Sequence, residues 1–306
     1  MRARALVAVA VALLTLTACS KTDADATASS SAADINDILI GPSDGLAPTI
    51  TLPEDETFAH PQGKVVWEGE GAPLADNQPL LLDVYGVSLA DGSEVVNTFD
   101  GLPVSYVLAR EVLGDSLYDL LIDGNVGMRV LVVATATENS EITPETTAKP
   151  TSSEPTVALV VDVLSDRATG TVIPPRDDLP TVEVNEDTGE PTITIGEDLT
   201  EPTTIQSETL IQGDGEQVKE GSYLLLNYKA VYWKNGTEFA SSWPADTAPF
   251  ATQVGTGQLI PALDQSLLDQ TAGSQVLVVA PPAYGYPEEG TLVFVVDILD
   301  VWTPVS

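Results

Sequence analysis

The run Val130-Leu131-Val132-Val133-Ala134 recurs letter for letter at residues 276–280, and it is one of a series. Pro48-Thr49-Ile50-Thr51 returns as Pro191-Thr192-Ile193-Thr194, Gly69-Glu70-Gly71 as Gly213-Asp214-Gly215, and Leu80-Leu81-Leu82 as Leu224-Leu225-Leu226. Asp91-Gly92 answers Asn235-Gly236, and Val160-Val161-Asp162 answers Val295-Val296-Asp297. The matches fall in one order, with small changes of offset where loops must sit. Chance likenesses between valine-rich strands do not keep that order. The chain therefore reads as a duplication, with one copy at 48–165 and the other at 191–306. Its 306 residues leave room for two ordinary cores.

Each copy is a set of short β runs with one helix. In the second copy the strands fall near Leu224–Trp233, Phe250–Val254, Gln275–Ala280 and Thr291–Val301. The Asp-Gly and Asn-Gly dipeptides are strong hairpin signals. A helix begins after Ile260 with Pro261 in its first turn, turns Leu263, Leu267 and Leu268 inward, and is expected to stop at Gly273. The fold class is α+β: two units, each an antiparallel β half-barrel wrapped over one short helix.

The N-terminus reads as a targeting segment. Arg2 and Arg4 precede an apolar run from Ala5 to Thr17 that is too short for a stable spanning helix. The run ends in Leu16-Thr17-Ala18-Cys19, which resembles a bacterial lipobox. That resemblance implies a signal peptide at 1–18, cleavage before Cys19 and lipidation of its thiol. The anchor would then hold the protein extracytoplasmically on the cell membrane without a spanning helix; the alternative is an ordinary secretory signal. Cys19 is the only cysteine, so no intramolecular disulfide forms. Residues 19–47 read as a flexible tether with almost nothing to bury, and 166–190 as an acidic, Pro-rich linker. With 46 acidic against 12 basic side chains, nucleic acid and anionic membrane faces are poor partners.

The order of aromatic and aliphatic residues in the second copy resembles the FKBP-type peptidyl-prolyl cis-trans isomerases. Tyr228 matches the strand tyrosine of that family's pocket wall, Phe239 the phenylalanine of its Phe-Asp-Ser-Ser motif, and Phe250 the wall phenylalanine after Pro249. Leu259 and Ile260 match the aliphatic pair before the helix, whose backbone amide meets the substrate carbonyl. Leu263 falls at the floor, Tyr286 matches the tyrosine that bonds ligand, and Phe294 closes the back. The resemblance implies two FKBP-like domains and an enzyme that isomerises Xaa-Pro bonds of exported proteins. It implies proline-containing polypeptides as partners, macrolides as further ligands, and neither cofactor nor metal. Three departures stand out: Ala240 replaces the motif's acid, Leu263 replaces a common tryptophan, and the loop from Tyr286 to Phe294 is short.

Carrying the offsets into the first copy places Val84 at the Tyr228 position, Val95 at Phe239, Val104 at Phe250 and Leu159 at Phe294. Gly114 replaces Ile260, and Ser140 falls near Tyr286 in a polar insertion from Glu138 to Pro155. The aliphatic pattern survives while the pocket aromatics do not, which reads as a fold kept and a site lost.

Several chemistries are excluded or unsupported. His60 is the only histidine, so no Ser-His-Asp, Cys-His or multi-histidine metal site can be built. No stretch has the spaced acidic loop of a calcium site. Two readings remain for the second copy: an isomerase, or a non-catalytic proline-binding holdase or envelope scaffold that kept the pocket. Plain core packing of the rings is the competing explanation for each of them.

Overall fold

The computed structural model describes residues 32–41, 47–54, 57–135, 156–186, 188–243 and 248–304. Cys19, the 1–18 segment, Ser140 and the whole of its insertion lie outside these residues. The described chain is mostly antiparallel sheet with few helices. Its N-terminal part runs through strands β1 (Leu39–Ile40), β2 (Ile50–Thr51), β3 (Gln62–Trp67), β4 (Pro79–Ser88), β5 (Glu94–Asn97) and β6 (Val104–Val107). Helices α1 (Arg110–Leu113) and α2 (Asp115–Leu121) follow, then β7 (Arg129–Ala134) and β8 (Val157–Leu164). The C-terminal part runs through β9 (Thr171–Val172), β10 (Thr181–Val184), β11 (Pro191–Thr194), β12 (Gln206–Gln212), β13 (Tyr223–Tyr232), β14 (Glu238–Ser241) and β15 (Phe250–Gln253). Helix α3 (Pro261–Ser266), β16 (Gln275–Ala280) and β17 (Leu292–Trp302) complete it.

The larger sheets share one strand order. The N-terminal sheet runs β3-β7-β8-β4-β5 with β6 also on β4; the C-terminal one runs β12-β16-β17-β13-β14 with β15 also on β13, and β9 is added outside β12. The repeated motifs take the same places in both. Gly71 N–H donates to Val126 O at 3.0 Å, and Gly215 N–H donates to Ala272 O at 3.1 Å. A Cβ on Gly69 would lie 2.1 Å from Val126 O, and one on Gly213 the same distance from Ala272 O. Only glycine admits that approach.

Both sheets are covered on two faces, which explains apolar runs without alternation. In the C-terminal sheet one face packs Val276, Val278, Phe294 and Val296 against Ala262, Leu263 and Leu267 of the α3 region. The other packs Leu277, Val279, Val293 and Val295 against Leu179 and Ile193 of the β10–β11 hairpin segment. The N-terminal sheet repeats this, with β1, β2 and residues 33–38 behind it. The two sheets also meet: Leu81 and Leu164 pack with Leu225 and Leu299, which are the same two positions of the repeat.

Four expectations are corrected. The tether is folded from Ala32 to Gly41, because Ala33, Ile35 and Ile38 are buried against the N-terminal sheet and β1 pairs with β2. The connecting segment 166–190 is fastened to the C-terminal sheet. Ala168 N–H donates to Asp297 Oδ2 at 2.7 Å, Asn227 Nδ2 to Asp166 O at 2.9 Å, and Leu179 is buried. The helix after Ile260 ends at Ser266, since Asp269 turns the chain at φ 64 and leaves Gly273 to the loop before β16. The N-terminal part has two short helices where one was expected, because Gly114 at φ 76 separates them.

Candidate functional site

β13, β14 and β15 hold the wall. Antiparallel pairing puts Phe250 opposite Leu226, and Ala240 opposite Ala230. A register shift between Ala230 and Val231 leaves Phe239 as the extra residue of β14, half-buried beside the core. Alternation along β13 turns Tyr228 and Tyr232 to the face that carries Leu224, Leu226 and Ala230. Tyr228 meets Phe250 edge-on with ring centroids 5.9 Å apart. Phe239 meets Tyr232 edge-on at 5.5 Å and Tyr286 at 5.5 Å with a tilted geometry. Phe294 and Leu263 are buried beneath them, and Leu259 and Ile260 pack against the same core.

The chain enters α3 through an extended residue and a proline. Ile260 is extended at φ −64 and ψ 150, and Pro261 takes the first helical position, where its missing N–H costs nothing. None of the described hydrogen bonds uses the Ile260 N–H. Asp264 in the first turn accepts from the Gly255 N–H at 2.9 Å and the Gly257 N–H at 3.3 Å, which fastens the loop after β15 to α3.

Beneath Tyr228 lies a polar fastening. Ser242 Oγ accepts the Tyr228 N–H at 2.9 Å and donates to Asn227 Oδ1 at 2.9 Å, while the Ser242 N–H returns to Tyr228 O. It fixes the β13–β14 connection at the ring that faces Phe250.

Six of the eight residues nominated from sequence are joined in one core: Leu263 and Phe294 buried, Tyr228, Phe239 and the Leu259-Ile260 pair partly so. Phe250 and Tyr286 are 42% and 43% exposed and stand at the rim. Sequence reasoning missed Tyr232 and Tyr284. Tyr232 packs on Phe239 and donates its hydroxyl to Glu289 Oε2 at 2.8 Å, a bond that raises the phenol's pKa above its ordinary value. Tyr284, in a 3-10 turn at Pro282–Tyr284, packs against the core where only Tyr286 was expected to contribute. Both were open to detection: Tyr232 lies four residues after Tyr228 on the same strand face, and Tyr284-Gly285-Tyr286 holds two tyrosines.

No group of three or more His, Cys, Asp or Glu side chains among the described residues is arranged to hold a metal ion. What the arrangement offers is an apolar, ring-lined surface with half-exposed aromatics at its edge and an uncommitted backbone N–H beside it.

The comparisons fall on the same segment. The family model described as FKBP-type peptidyl-prolyl cis-trans isomerase matches residues 214–299. Mouse peptidyl-prolyl cis-trans isomerase FKBP2 is 37% identical over 92 residues, covering 27% of this chain and 64% of that protein. The FK506-binding protein of Streptomyces anulatus is 30% identical over 100 residues, covering 29% of this chain and 80% of that protein. Among solved structures, FkpA from Escherichia coli matches at 26% identity with a TM-score of 0.30, over 33% of this chain and 49% of that one. The chain thus spans a little under two thirds of the mammalian relative and most of the Streptomyces one. With the matched residues carrying the whole ring cluster, this chain belongs to the FKBP-type peptidyl-prolyl cis-trans isomerase family.

Proposed function

We propose that the C-terminal half is a working prolyl isomerase site, and that the chain is a lipid-anchored, extracytoplasmic folding catalyst. In this reading it has two FKBP-like halves, of which the first has lost its site. One observation carries it: the ring positions are aromatic only in the sheet where the family match lies. At the equivalent positions the other sheet folds with Val84, Val95, Val104 and Leu159. The fold does not need the rings, so they serve a ligand.

Rotation about an Xaa-Pro bond crosses roughly 18–20 kcal/mol, because resonance gives the C–N bond double-bond character. The planar amide is strongly polarised and well hydrated, whereas the twisted one has lost resonance and becomes less polar at the oxygen. Transfer of the bond onto Tyr228, Phe239, Phe250 and Phe294 strips water from the planar form at greater cost than from the twisted form. In this reading the Ile260 N–H donates to the substrate carbonyl, and the neighbouring rings of Phe239 and Tyr286 hold the pyrrolidine by contact. Neither nucleophile nor proton transfer is required. Uncatalysed isomerisation takes tens to hundreds of seconds, slow enough to limit folding of exported chains.

A protease-coupled Xaa-Pro assay on the full chain tests this. A rate above background that falls in Phe250→Ala supports it. A well-folded protein that binds proline peptides without any rate supports the holdase or scaffold reading instead.

A further inference from the structure

Four contacts at the edge of the ring cluster close on themselves. The Tyr286 ring meets Phe239 with centroids 5.5 Å apart, and Phe239 meets Tyr232 edge-on at 5.5 Å. The Tyr232 hydroxyl donates to Glu289 Oε2 at 2.8 Å, and the Glu289 N–H donates to Tyr286 O at 3.0 Å. That last bond returns the circuit to the residue that opened it. Lys234 Nζ lies 4.6 Å from the Tyr232 ring centroid, so the ring is held by Phe239, Lys234 and Glu289 together.

The matching hairpin of the other sheet forms without these contacts. Ser88 ends β4 where Tyr232 ends β13. The Ser88 N–H donates to Ser93 O at 2.8 Å, and the Tyr232 N–H to Thr237 O at 2.9 Å. The Gly92 N–H donates to Ser88 O at 2.9 Å, and the Gly236 N–H to Tyr232 O at 2.8 Å. Ser88 Oγ turns back on its own hairpin and accepts the Ala90 N–H at 3.2 Å. The turn therefore closes without a tyrosine. In the half that has the rings, the side chain at this position reaches instead to the turn that follows Tyr286.

We propose that Tyr232 and Glu289 are positioning residues, whose hydrogen bond ties the turn after Tyr286 to β13 and holds the Tyr286 ring against Phe239 before a substrate arrives. This rests on the isomerase reading and deepens it. Tyr286 is 43% exposed, and the chain beyond it reverses through Gly290 at φ 88. A ring left free there gives up rotamer freedom on binding, so fixing it beforehand tightens the complex. The ring meets the pyrrolidine in planar and twisted forms alike. Loss of the tie therefore shows in KM and leaves kcat near its value.

The test is steady-state isomerisation of a proline peptide by the full chain, with kcat, KM and Tm measured for each variant. Tyr232→Phe keeps the ring and removes the donor, and Glu289→Ala removes the acceptor. Each is expected to raise KM by about 3–10-fold with kcat within about 2-fold of wild type, and the double variant to match either single one. Glu289→Gln, whose amide oxygen still accepts, is expected to restore KM. A smaller folded fraction would lower kcat and leave KM unchanged, so a rise in KM separates positioning from stability. Unchanged KM in Tyr232→Phe, losses that add in the double variant, or a Gln variant as poor as the Ala one would each overturn the proposal and leave the isomerase reading intact. If the wild-type protein turns over no peptide, the isomerase reading fails. The tie is then judged by peptide affinity: a Kd raised about 3–10-fold in Tyr232→Phe supports it, and an unchanged Kd overturns it.

Discussion

Asp83, Thr98, Arg129 and Asp162 of the N-terminal sheet stand where the C-terminal sheet has Asn227, Ser242, Gln275 and Asp297. The hydrogen-bond pattern is shared. The Val84 N–H donates to Thr98 Oγ1 at 2.7 Å as the Tyr228 N–H does to Ser242 Oγ, and Thr98 Oγ1 reaches Asp83 Oδ1 as Ser242 Oγ reaches Asn227 Oδ1. Arg129 pairs with Asp162 where Gln275 donates to Asp297. Glycines and leucines match as well, while the ring positions do not. The sheets thus agree wherever a residue closes the backbone, and differ at the ring positions. Each half is the other's control.

The largest expected effects probe what the halves share. Gly213→Val and Gly69→Val should each cost about 3 kcal/mol or more in denaturant unfolding, because a Cβ meets a carbonyl oxygen in both. A large cost in one half alone would break the equivalence. The buried pairs should differ instead. Asp162→Asn strands Arg129, which is 2% exposed, and should cost about 3–5 kcal/mol. Asp297→Asn keeps an acceptor for one of its two donors, Gln275 and Ala168, and should cost roughly 1 kcal/mol by the same measurement.

Function should divide the halves more sharply than stability. Phe239→Ala is expected to lower kcat/KM by about 10–100-fold, a loss of roughly 1.4–2.7 kcal/mol of transition-state stabilisation. Val95→Ala, at the matching position and 50% exposed, should leave the rate as it was and change stability by no more than ~0.5 kcal/mol. Equal losses from both would show that the rings act only through the fold.

A smaller effect sits where the halves meet. Burial, and then the Asp83 carboxylate, push Asp300 up to about 7; burial and then Asp162 push Asp83 up, against the Thr98 hydrogen bond and Arg129, to about 6. Burial also raises Asp297 to about 6, although Ala168 and Gln275 donate to it. Each carboxyl therefore stabilises the fold fully below its unfolded pKa, and that contribution is lost as pH rises through 6 to 7. Tm should fall between pH 5 and pH 8. Asp300→Asn should flatten the profile and raise Tm at pH 8 by a few degrees, at ~2–4 °C per kcal/mol for domains of this size. Glu216, also near Asp300, adds to the same trend.

Much of this was legible in the chain. Ordered repeats exposed the shared strand order, because close-approach glycines, hairpin dipeptides and core valines are local requirements. The ring residues were legible for the opposite reason, as aromatics at positions the other copy fills with valine. Segments 32–41 and 166–190 were misread because Ser, Thr, Asp and Pro outnumber a few decisive apolar residues there. Ile35, Ile38 and Leu179 each bury fully against a sheet that only the three-dimensional fold brings near. Tyr232 and Glu289 are 57 residues apart, and their hydrogen bond has no local signature. Nor does the meeting of Leu81, Leu225 and Leu299, which depends on how the halves pack.

The most direct test of one working site in two equivalent halves is a residue-resolved NMR titration of the full chain with a proline peptide. Shifts at Tyr228, Phe239, Phe250, Ile260 and Tyr286, with exchange between cis and trans peptide signals and nothing at Val84, Val95 or Val104, are the predicted result. Equal shifts in both halves, or binding to the rings with no added cis–trans exchange, would contradict it.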